Sequence, residues 1–133
     1  MRYLIESFAV GALRRGSSVE QFLGVVEGSA VPSVRWVEVV PQAGGFVAML
    51  HESEDIGNER FFDLVEFPNF PGPDGEECFG IEVGIADQAL DALDLAEAVT
   101  GAVRQRWVNA GVAQDEYRDF VLAGRPAQWP SES

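Results

Sequence analysis

Lysine is absent from the 133 residues, histidine and cysteine occur once each, and no apolar run approaches the length of a membrane span. Each absence removes a class of chemistry. Without lysine there is no Schiff base, no lysine nucleophile and no phosphate-loop lysine. All nine basic residues are arginine, a bias that, with the Ala, Gly and Val content, reflects GC-rich, bacterial-type coding rather than function. The lone Cys78 can close no intramolecular disulfide and has no companion at metal-ligand spacing, which fits a reducing compartment. With no charged-then-apolar leader and no spanning segment, the expectation is a soluble cytoplasmic protein without a membrane partner.

What the chain has in excess is acid, placed unevenly. The formal net charge is −13. Acids and arginines balance over residues 1–51 and again over 98–133, so residues 52–97, with fourteen carboxylates against Arg60 alone, hold the whole imbalance. A field of that sign repels nucleic-acid phosphate and anionic lipid and speeds encounter with basic proteins. Solubility is the plainer use of surface charge, yet solubility alone gives no reason to gather it in one segment.

At 47% hydrophobic, a chain of this length fills a core without disulfides or metals, and one α+β domain over 1–133 is expected. Segment 34–67 organises it. Residues 34–40 and 46–51 are rich in β-branched and aromatic side chains, and 41–45 between them combine a proline with two glycines, predicting a hairpin. A third run, 61–67, follows the acidic turn 52–59 and predicts a meander. Its alternation is imperfect: Trp36 and Val37, Phe61 and Phe62, and Leu64 and Val65 place apolar groups on both faces, so either both are partly covered or one is left sticky. After the Pro/Gly-rich loop 68–77, where Phe70 is either an anchor or a contact, the alternation of Phe79, Ile81, Val83 and Ile85 predicts a fourth strand.

Helical spacing predicts a helix over 2–15, a short one over 19–23 capped by Ser17 or Ser18, a long one over 88–108 capped by Asp87, and a last one over 114–123. The expected architecture is a four-stranded, mainly antiparallel sheet in sequence order, with N-terminal and C-terminal helices on one face and a loose tail over 126–133.

Candidate chemistry centres on His51, at the end of the second strand, with Glu52, Asp63 and Glu66 as companions for acid–base catalysis or a divalent metal. Against this, carboxylates in the turn of an acidic protein are usually solvated. The run 55–66 lacks calcium-loop spacing, no Gly-x-Ser-x-Gly elbow occurs, and Gly80 and Gly84 form no phosphate loop. A Cys78–His51 couple depends on the fold bringing them together, a buried inert thiol being the plainer reading. No catalytic residue, cofactor or metal site is therefore assigned.

As a class, a small acidic α+β domain without catalytic motifs is similar to immunity proteins, which neutralise basic bacterial toxins by covering them with carboxylates. That analogy implies a basic protein partner and no nucleic acid. The docking residues expected are Glu52, Glu54, Asp55 and Glu59 in the turn, with Asp74, Glu76 and Glu77 in the Pro/Gly loop. Two alternatives stay open: a small enzyme centred on His51, and a self-associating module that forms a homodimer through the second sheet face or another exposed apolar surface.

Overall fold

The computed structural model describes residues 2–68 and 80–130. In chain order it contains α1 (Glu6–Arg14), β1 (Val19–Val25), β2 (Ser33–Gln42), β3 (Gly45–Glu54), a 3-10 turn (Leu64–Glu66), β4 (Ile81–Ala86), α2 (Ala89–Thr100), a second 3-10 turn (Arg104–Arg106), β5 (Val108–Asn109) and α3 (Ala113–Leu122). The class is α+β. The strands form one antiparallel sheet in the order β4-β3-β2-β1-β5.

The sheet has five strands where four were expected, and two of them come from segments read as helix. Residues 19–23 lie in β1, the neighbour of β2: Val19 pairs with Val39 and Phe22 with Trp36. The serine cap signal is local and weak, while a helix of so few residues is costly to nucleate, so pairing with a long central strand wins. The predicted helix 88–108 stops early because Gly101 takes a left-handed φ of 82° and its N–H closes on Glu97 O. The chain beyond it then has room to turn and lay Val108 and Asn109 against β1. The helix has Gln88 at its N-cap position, with no side-chain cap bond, so Asp87 does not play the part expected of it.

The predicted strand 61–67 does not form. Asn58 and Phe61 make an isolated bridge and Leu64–Glu66 a 3-10 turn. Buried Leu64 and Phe67 are three residues apart, the spacing of one 3-10 turn rather than a strand, and β4 occupies the place beside β3. The hairpin does form, and is longer and tighter than expected. Gln42 pairs with Gly45, so only Ala43 and Gly44 turn the chain, and Gly44 supplies a φ of 82°.

Alternate residues of β2 sort the core into two layers. Val37 and Val39 pack with Ala9, Ala12 and Leu13 of α1, with Ala92, Leu93 and Ala96 of α2, and with Trp107. Val34 and Trp36, on the other face, pack with Phe22, Leu64 and Phe67 and with Tyr117 and Phe120 of α3. The sticky second face of the sequence reading is thus covered at one end by α3 and the 55–67 loop. The described part of the tail, to residue 130, is held there as well: Trp129 sits 6.3 Å from Phe22 and 5.7 Å from Phe120, centroid to centroid, with its indole N–H donating to Glu116 Oε2. No described helix is long and apolar enough to cross a membrane.

Candidate functional site

His51 lies opposite Trp36 in the β2–β3 register, and the two rings stack at 4.7 Å and 11°. Its Nε2–H donates to Glu38 Oε1 at 2.7 Å. Glu38, two residues along β2 from Trp36, shares its face, and Glu38 is itself the cross-strand partner of Glu20. Gly80 closes on the imidazole so nearly that an added Cβ would stand 2.7 Å from Cε1. The histidine side chain is only 11% exposed.

None of the companions expected from sequence reaches this ring. Glu52 follows His51 on β3 and so projects to the opposite face, across from Arg35. Asp63, just before the 3-10 turn, and Glu66, within it, make no bond to the imidazole. Among the described residues no group of three His, Cys, Asp or Glu side chains is placed to hold a metal ion. Sequence reasoning missed Glu38 and Glu20; the Trp36/Glu38 spacing could have found Glu38 once the register was known.

Glu20 has a distinct task. Its Oε1 accepts from Gly111 N–H at 2.8 Å and Ala113 N–H at 3.0 Å, the amides at the start of α3. Burial pushes its carboxyl above the ordinary range, with Glu38 adding to the shift, while the two amides and His51 pull the other way.

The acidic turn is irregular yet pinned. Asn58 Oδ1 accepts from Arg60 N–H at 2.8 Å and Phe61 N–H at 3.0 Å, Arg125 Nη2 donates to Gly57 O at 2.6 Å, and Arg118 Nε donates to Glu59 O at 3.1 Å. Asp55, expected among the docking carboxylates, is turned inward. Its side chain is 4% exposed, accepts from Arg125 Nε at 2.8 Å and also accepts the Tyr117 hydroxyl, whose pKa burial raises. Arg125 and Tyr117 are remote in sequence, so nothing near Asp55 in the chain signals this. Glu52, Glu54, Glu59, Asp63 and Glu66 have no side-chain bond or ion pair among the described residues. Between them Ile56, Phe61 and Val65 stand 47%, 39% and 72% exposed. Asp74, Glu76 and Glu77 lie outside the described residues, as do Phe70 and Cys78.

Elsewhere three arginines, Arg2, Arg104 and Arg106, are committed to the fold. Arg104 binds Glu6 at 2.6 Å and Glu97 at 2.6 Å as well as Asp94. Arg106 binds buried Glu116 at 2.7 Å, which also accepts from the Tyr3 hydroxyl, and Arg2 binds Asp119 at 2.5 Å. Arg35, which like Arg14, Arg15, Arg60 and Arg118 has no ion pair among the described residues, lines a cleft of ≈ 660 Å³ with Glu27, Glu52 and residues 127–130.

No protein family, no curated protein and no solved structure matches this chain.

Proposed function

We propose that this protein is a binding module that docks a basic protein partner through the segment 52–66. One observation carries the reading. The carboxylates Glu52, Glu54, Glu59, Asp63 and Glu66 have no ion pair among the described residues, whereas Glu6, Asp94, Glu97, Glu116 and Asp119 are each bound by an arginine of the fold, three of them by Arg104. Charge left uncompensated at the end of β3 (Glu52, Glu54), on the loop held by Asn58, Arg118 and Arg125, and at the following 3-10 turn is available to a partner at little ordering cost. Exposed Phe61 and Val65 among those acids supply apolar contact area within a polar rim, the composition of a protein interface rather than of a small-molecule site. The reading is the one the class-level likeness to immunity proteins implies, and it places the protein in the cytoplasm with its target.

The His51–Glu38 pair is the observation that favours an enzyme. The imidazole, however, is enclosed by Trp36 and Gly80 and spends its Nε2–H on Glu38, which suits cross-strand packing better than proton transfer to a substrate.

The test is kinetic. A partner isolated from the source cells should associate with the purified protein at a rate that falls steeply as salt rises from low to physiological concentration. Joint replacement of Glu54→Gln and Glu59→Gln should slow association and flatten the salt dependence. A partner whose association rate ignored both would sink the proposal and return the acidic segment to a solubility role.

A further inference from the structure

We infer that residues 123–130 are a strap that holds the docking segment in shape when fastened and slackens it when released; the purpose given to the strap rests on the docking reading above. It is fastened at two points. Arg125 reaches the acidic turn, donating from Nε to Asp55 at 2.8 Å and from Nη2 to Gly57 O at 2.6 Å. Trp129 reaches β1 and α3: its ring meets Phe22 and Phe120, and its indole N–H donates to Glu116 at 3.1 Å. Gly24 passes so close that an added Cβ would stand 2.7 Å from the Trp129 Cβ.

Around those points the strap is loosely laid. Ala127, Gln128 and Pro130 are exposed and border the cleft of ≈ 660 Å³ instead of packing on the sheet, so little apolar area beyond the Trp129 ring opposes release. Arg125 takes a φ of 55°, in the left-handed region that a residue other than glycine rarely adopts. Its place is therefore kept by its contacts rather than by local preference.

The two fastenings are joined through the core. Tyr117 of α3 donates its hydroxyl to Asp55 and packs on Phe67 at 5.2 Å between centroids, and Phe67 meets Phe61 at the same separation, 5.2 Å. Tyr117 also meets Phe22 at 5.7 Å, and Phe22 meets Trp129 at 6.3 Å. An unbroken row of rings thus runs from the tail to Phe61, exposed at the docking surface. With the Trp129 ring withdrawn, the row loses its end and Arg125 loses the anchor that keeps it over Asp55 and Gly57. A partner must then order the segment as it binds, which lowers affinity. The fastened and released tail are two states through which the docking surface is regulated.

Backbone amide relaxation, measured by NMR on the full chain, tests the strap without a partner. In wild type the amides of Asn58 and Phe61, which bond to each other's carbonyls, should have the order parameters of rigid backbone, about 0.85. In Trp129→Ala they should fall below about 0.6, together with the amides of the tail, while those of the β2–β3 hairpin stay rigid. Trp129→Phe, which keeps a ring against Phe22 and Phe120 but has no indole N–H, should recover most of the order. Arg125→Ala, which unfastens the loop end without opening the core, should loosen Asn58 and Phe61 to a similar extent, and it decides the question if Trp129→Ala does not fold. Asn58 and Phe61 staying rigid in either folded variant would overturn the strap. Because that result involves no partner, it would leave the docking reading to its own kinetic test.

Discussion

The carboxylate of Glu20, on β1, stands 3.0 Å from the backbone nitrogen of Ala113 and caps a helix distant from it in sequence. Val112, at the N-cap position of α3, offers no side-chain acceptor, so a strand residue satisfies amides that would otherwise be orphaned. The negative charge also lies at the favourable end of the helix dipole.

That placement predicts a pH dependence. Burial raises the Glu20 pKa above its ordinary 4.5, so the folded chain keeps this proton where the unfolded chain has lost it. The stability it contributes is complete below the unfolded value and is lost as pH rises through the folded one. Glu20→Gln keeps a neutral acceptor, so its melting temperature should gain on wild type as pH rises from about 4 to about 7. Glu27→Gln, an exposed control with the same charge change, should show no such trend. A Glu20→Gln difference independent of pH would contradict the assignment.

Neighbouring carboxylates should behave oppositely. Asp55→Asn weakens the buried bonds to Arg125 and Tyr117 and should cost about 1–2 kcal/mol in urea unfolding, allowing for the partial exposure of Arg125. Glu54→Gln removes no internal partner and should stay within about 0.5 kcal/mol of wild type. Equal effects at the two positions would refute the inward placement of Asp55.

Two glycines should respond with opposite sign to a methyl group. At Gly57 an added Cβ would meet Phe67 Cζ at 2.4 Å, the Phe61 carbonyl oxygen at 2.5 Å and the Tyr117 hydroxyl at 2.6 Å. Gly57→Ala should therefore cost about 1–3 kcal/mol and speed amide exchange across residues 55–62. Inside α1, Gly11→Ala meets only the mobile end of Arg15, at 3.1 Å, and should stabilise by about 0.5–1 kcal/mol. Differential scanning calorimetry distinguishes the two.

Arg104 gathers Glu6 from α1 with Asp94 and Glu97 from α2, and Glu97 also accepts from the Trp107 indole at 2.9 Å. Arg104→Met should leave three carboxylates in mutual repulsion, costing about 1–2 kcal/mol at low salt after discounting the exposed ones. The deficit should shrink as added salt screens them. Chemical denaturation at two ionic strengths measures both effects.

Composition and pattern by themselves determined the α+β class, the central hairpin, β4, α1, the start of α2, α3, and the concentration of acid between residues 52 and 97. These rest on local periods, on turn residues such as Gly44, and on simple charge counting, all of which act over a few neighbouring residues. Tertiary structure decided the rest. Segment 19–23 became a strand because β2 offered it a partner, and Leu64–Glu66 became a 3-10 turn because Leu64 and Phe67 were needed under α3 rather than beside β3. His51 acquired Glu38 rather than Glu52 because strand register, invisible in one sequence, decides which residues share a face. Asp55 left the list of surface charges for the same kind of reason: a carboxylate is a docking group or a buried one according to whether a distant arginine reaches it, and Arg125 does.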